Sequence, residues 1–187
     1  MMKRVLWSGL LGCAAMFLWT FVSNAIFGFA NRVEMNRIPN EPEVYRVLKE
    51  NIAAPGAYLA NPPLTPDGQF PGSEPVFGVR TSGMGHEAAG RMAFIEPAIG
   101  LAAALLAAGL LSMASPWILS RYSRRVLFVV VIGLLVALFT DLAKIGIGGY
   151  PVHTGLLLAA RDVVSWTLAA LAMAGSMRIP GDSAGAA

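Results

Sequence analysis

The sequence has one cysteine and two histidines among 187 residues, and only 13% of it is charged. Cys13 alone cannot close an intrachain disulfide, form a redox CxxC pair or supply a zinc cluster. Its simplest reading is a small buried hydrophobe. His86 and His153 have no cysteine pair or carboxylate at ligand spacing, so neither a metal site nor a cofactor is expected. Both histidines are expected at the mouth of the fold, which disfavours haem ligation between facing helices. GxSxG, HExxH and phosphate-cradling P-loop patterns are missing too. An intramembrane enzyme is therefore the least supported class.

What the chain has in quantity is apolar sequence. Hydrophobic residues make up 56% of it, and the mean hydropathy is +0.60. The apolar residues concentrate in four runs, at 5–29, 93–114, 126–147 and 154–177. Each run can cross about 30 Å of hydrocarbon at about 1.5 Å per helical residue. No water satisfies peptide groups there, so each run is expected to be a helix. The expected fold is an all-α membrane protein, a four-helix transmembrane bundle. Its expected divisions are a first span at 1–30, an extracytoplasmic cap at 31–92, three spans at 93–178 and a cytoplasmic tail at 179–187.

The net charge of +3 does not point to nucleic acid, because the basic residues form no stripe and no aromatic RNA-binding motif accompanies them. Their distribution predicts orientation instead. Lys3 and Arg4 precede the first span, Arg121, Arg124 and Arg125 fill the loop between the second and third, and Arg178 follows the fourth. The rule that basic loops stay inside puts these groups and both termini in the cytoplasm of a bacterial inner-membrane protein. Leu10-Leu11-Gly12-Cys13 resembles a lipoprotein cleavage box. The apolar run continues to Phe29, however, well past the roughly 7–15 residues of a signal peptide's apolar core, so a permanent span is expected.

The polar segment between the first two spans has local signals of its own. Asn40-Glu41-Pro42-Glu43 reads as a helix start with Asn40 as N-cap and Glu43 closing a capping box. Val44, Val47, Leu48 and Ile52 then share one face. Pro55-Gly56 stops that helix. Two short strands are predicted, around Ala57-Tyr58-Leu59 and Val76-Phe77-Gly78-Val79, with proline- and glycine-rich turns between them. Ser82-Gly83-Met84-Gly85-His86-Glu87 is expected to introduce a helix running through Met92 into the second span. The whole segment reads as a small cap on the end of the bundle.

The chief functional clue is a set of ionisable residues in the spans: Glu96, Asp141, Lys144, Arg161 and Asp162. A charge at mid-membrane costs about 2.5–3.5 kcal/mol on insertion scales, so pairing is expected. Asp141 and Lys144 are three apart on the third helix. The hairpin at Gly148-Gly149-Tyr150-Pro151 is expected to bring Arg161 near Asp141, with Glu96 joining Lys144 or Arg161. Such a cluster either fixes helix registry or forms a proton- or cation-linked site. Ala98, Ala102, Ala103 and Ala107, with the alanines of 169–174, are expected to let helices approach closely.

Tyr122-Ser123-Arg124-Arg125-Val126 leading into a span, the Gly149-Tyr150-Pro151 hairpin and Gly56-Ala57-Tyr58 resemble motifs of a group of uncharacterised bacterial four-span membrane proteins. The Pro-Trp-His stretch associated with that group's first span is missing. The resemblance implies the topology and no activity. The expected partners are the lipid bilayer and either other membrane subunits or further copies of this chain. The expected function is that of a structural or accessory subunit of a membrane assembly. The alternative is a small transporter or channel component using the charged cluster, although the spans show no inverted repeat.

Overall fold

The computed structural model describes residues 2–88, 90 and 93–177. The tail at 179–187, Arg178 of the orientation argument and the end of the cap at Arg91 and Met92 lie outside the described residues. Four helices are long and apolar enough to cross a membrane: α1 (Met2–Ala25), α3 (Ile95–Ser112), α5 (Tyr122–Thr140) and α6 (Val152–Ser176). Between α1 and α3 lie α2 (Glu41–Asn51) and the strands β1 (Gly56–Ala60) and β2 (Phe77–Thr81). A four-residue helix, α4 (Pro116–Leu119), bridges α3 and α5.

The spans occur where the apolar runs predict them, but their ends differ. α1 stops at Ala25 rather than Phe29, because Gly28 takes a left-handed conformation (φ 62°) and turns the chain. A π-helical turn, Ala30–Glu34, follows. α5 ends at Thr140, and Leu142–Lys144 forms a 3-10 turn. Asp141 and Lys144 therefore sit at the end of the third span, Tyr122–Lys144, just past its α-helical part. The chain loses α geometry there as it approaches Gly146 and Gly148, both at positive φ. Of the helix expected through Ala88–Met92 into the second span, Gly90 is helical, and residues 89, 91 and 92 lie outside the described residues. His86–Ala88 is a 3-10 turn, Ala93 and Phe94 form a turn, and α3 begins only at Ile95.

α6 packs on both α1 and α5, and α1 packs on α3, while α3 and α5 touch little. The core lies toward the end of the bundle away from the cap. It brings Ala104, Ala107, Ala108 and Leu111 of α3 against Val129 of α5 and Trp166, Ala169, Ala170 and Met173 of α6. Lipid tails are as apolar as these side chains, so close van der Waals packing of small residues holds the helices together. The packing stripe on α3 is shifted from the one predicted, since Ala98 and Ala102 are exposed and Ala104 and Ala108 are buried. Gly133 of α5 shows how near the backbones come, because a Cβ there would overlap Trp166.

Polar side chains then tie helices to one another's carbonyls. Ser8 Oγ donates to Met173 O (3.2 Å), Tyr122 Oη to Leu171 O (3.0 Å) and Arg125 Nε to Ala174 O (3.1 Å). Arg125 is buried and its Nη1 also donates to Leu119 O, so one guanidinium joins α4 and α6 through carbonyls near their C-terminal ends.

In the cap, β1 and β2 pair antiparallel with Tyr58 opposite Val79. They lie about where the sequence predicts: β1 is one residue longer at each end, while β2 starts one residue later and ends two residues later. The sheet rests on the loop joining α5 to α6. Gly78 approaches the Gly148 carbonyl so closely that no side chain fits between them. α2 starts after Asn40 with Pro42 in its first turn, as expected, but the capping box is not made. Asn40 offers no side-chain bond to the helix, and Glu43 instead holds Arg46 at 2.6 Å.

Candidate functional site

The five ionisable residues picked from the sequence fall into separate groups at the cap end of the bundle. Asp141, immediately after α5, is only 5% exposed. Lys144 Nζ lies 4.0 Å from its Oδ1, and its Oδ2 has no hydrogen-bond partner. The expected Asp141–Arg161 pair is not formed. Arg161 instead places Nη1 2.5 Å from Glu34 Oε1 and Nε 3.4 Å from Asp162 Oδ1.

Glu34 is the residue that sequence reasoning missed. It closes the π-helical turn after α1, and the bend at Gly28 folds that turn back against α6. Phe29 comes with it and lies under the Arg161 guanidinium, 5.0 Å from ring centroid to Cζ. On the backbone side, Trp19 Nε1 donates to the Arg161 carbonyl at 3.1 Å. Arg161 is thus held by three parts of the chain: α1, the turn after it and its own neighbour Asp162. An acidic residue just past the end of a span was the available signal. Its partner lies 127 positions away, beyond the reach of any spacing rule.

Glu96 joins neither Lys144 nor Arg161. It occupies the first turn of α3 and makes no ion pair among the described residues. It faces a cleft of about 410 Å³ formed where α3 and α5 separate. Cys13, Met16 and Thr20 of α1 line one side, and Glu96, Pro97 and Ala103 of α3 another. Val136 of α5 and Asp162, Ser165 and Trp166 of α6 complete the wall. Among the described residues, Glu96 and Asp162 are its only carboxylates. Cys13 is half-buried in the wall rather than sealed in the core.

No protein family, curated protein or solved structure matches the chain. Among the described residues no three His, Cys, Asp or Glu side chains are grouped to hold a metal ion. What the arrangement provides is an apolar cleft with acidic groups, beside an arginine that locks three chain segments together.

Proposed function

We propose that the chain is a structural or accessory subunit of a larger membrane assembly. The observation that carries this reading is a cap without a core. None of the described residues from Asn24 to Gly90 is buried. Over the same stretch Tyr45, Leu59, Leu64, Phe70, Phe77 and Met84 are exposed, Phe77 by 63%. Exposed apolar side chains in such number mark an interaction surface. An isolated two-stranded sheet is marginal in water, and this one also leaves both outer edges unpaired. A partner subunit that covers the cap or adds a strand to it would supply both missing contacts.

The setting that fits is a bacterial cytoplasmic membrane, with both termini inside and residues 31–92 outside. Lys3, Arg4, Arg121, Arg124 and Arg125 gather at the end of the bundle away from the cap, which supports that orientation. Kinship with the uncharacterised four-span group is part of the proposal and adds no activity to it. A second reading, a small transporter or channel component, draws on the acidic cleft between α3 and α5.

Gentle purification from native membranes followed by native mass spectrometry tests the first reading. A stoichiometric set of different subunits is the expected result. A lone monomer or a homo-oligomer would overturn it and turn attention to flux assays on the cleft.

A further inference from the structure

The cleft carries an inference independent of the cap. Its volume of about 410 Å³ falls within the roughly 300–1,000 Å³ of sites that take one small organic molecule. Its walls are mainly apolar, from Met16, Ile99, Ala103, Val136 and Trp166, and acidic groups enter from two helices. It lies in the half of the bundle where α3 turns outward, its residues 95–99 being exposed. A molecule dissolved in the hydrocarbon can therefore enter from the side.

The charge balance selects the ligand. Among the described residues, Glu34 and Asp162 share the Arg161 guanidinium, at 2.5 Å and 3.4 Å, and Glu96 makes no ion pair. Asp141 has its own cation in Lys144. Two formal negative charges are left beside a cleft of low dielectric, a costly arrangement until a cation approaches. The N-terminus of α3 opposes such a cation, but with only about half a unit charge, against the full charges of two carboxylates on the cleft wall. The carboxylates win.

We propose that this cleft binds a single-chain amphiphile bearing an ammonium group. The ammonium lies between Glu96 and Asp162, and the hydrocarbon chain lies along Met16, Ala103 and Val136 toward Trp166. The site takes neutral amphiphiles poorly, because they leave Glu96 without a cation and Asp162 with only a share of Arg161.

The test uses the full chain in phosphatidylcholine nanodiscs, with a ten-carbon primary amine carrying a diazirine near its chain end. After irradiation, adducts are mapped by peptide mass spectrometry. Adducts are expected to concentrate on α1, α3 and α6 residues of the cleft and to be displaced by unlabelled decyltrimethylammonium. Glu96→Gln is expected to lower them about tenfold, the scale of one lost ion contact near a protein surface. Glu96 is exposed and makes no ion pair among the described residues, so this variant keeps the fold, and Glu87→Gln, on an exposed turn outside the cleft, serves as the unaffected control. Equal labelling by the matching diazirine alcohol, or undiminished labelling of Glu96→Gln, would overturn the proposal. So would adducts spread over lipid-facing α5 residues such as Leu127 and Leu135. Loss of cleft labelling when phosphatidylethanolamine replaces phosphatidylcholine would assign the site to a two-chain lipid and rule out the single-chain ligand.

Discussion

Neutralising Arg161 should cost more than neutralising the carboxylate it holds most closely. With Glu34→Gln, Arg161 keeps Asp162 at 3.4 Å and the face of Phe29. With Arg161→Gln, both Glu34 and Asp162 lose their cation, and the Phe29 contact goes as well. The side chains are 23% and 31% exposed, so the pair lies between two measured regimes. Exposed pairs contribute about 0–1 kcal/mol, whereas breaking a fully buried pair costs about 3–5 kcal/mol. Interpolating gives about 1–2 kcal/mol for Glu34→Gln and about 2–4 kcal/mol for Arg161→Gln, including about 0.5–1 kcal/mol of lost cation–π contact. A double-mutant cycle read by unfolding in mixed micelles should show about 1 kcal/mol of coupling between Glu34 and Arg161. The matching cycle between Asp141 and Arg161, which do not pair, should show clearly less. Equal costs for the two single changes, or stronger coupling through Asp141, would refute the assignment of Glu34 as the partner.

Three further outcomes follow from close packing and charge. Gly133→Ala pushes a methyl into Trp166 at the α5–α6 crossing and should cost about 1–3 kcal/mol of bundle stability in the same unfolding assay. Gly12→Ala meets chiefly the flexible end of Met173 and should cost less. Gly78→Ala should lift the β-sheet off the Gly148 carbonyl, read as faster amide exchange at residues 77–81 with the long helices unchanged. The hydrogen bond from Arg46 holds the Glu43 carboxyl below its ordinary value. A depressed folded-state pKa means that this support of α2 is present above the unfolded pKa of Glu43 and is lost as pH falls through the lower, folded value. Cα chemical shifts over residues 44–51 should lose helical character across that acid range, and Glu43→Gln should abolish the dependence.

The sequence made the four spans legible because about twenty uninterrupted apolar residues admit only a helix in hydrocarbon. Helix ends were less legible, since hydrophobicity does not record where backbone geometry changes. Ile145 and Ile147 extend the third apolar run, yet Gly146 and Gly148 end its helix before either residue. In the cap, turn residues located both strands. The capping box failed because Glu43 had a second local use, an ion pair with Arg46 three positions on. For the charged residues, spacing along one helix found Asp141 with Lys144, and nothing in the sequence could reveal Arg161 with Glu34.

The cleft illustrates the same limit at larger scale and explains why the two halves of the bundle differ. Toward the far end, alanines at 104, 107 and 108 and alanines at 169 and 170 share one buried core. Toward the cap, α3 instead offers Glu96, Pro97 and Ile99. A carboxylate, a proline ring and a branched side chain cannot repeat the close approach that alanines allow. The first turn of α3 thus carries Glu96 and Pro97 where its far half carries buried alanines, and the cleft lies on the side of that first turn. Glu96 and Asp162, which both line the gap, give it its negative charge. A chain selected only for tight packing would have extended the alanine stripe to the start of α3. Here the buried alanines begin only at Ala104, and Glu96 lies about two turns nearer the cap, in the half that opens as the cleft and can hold a ligand.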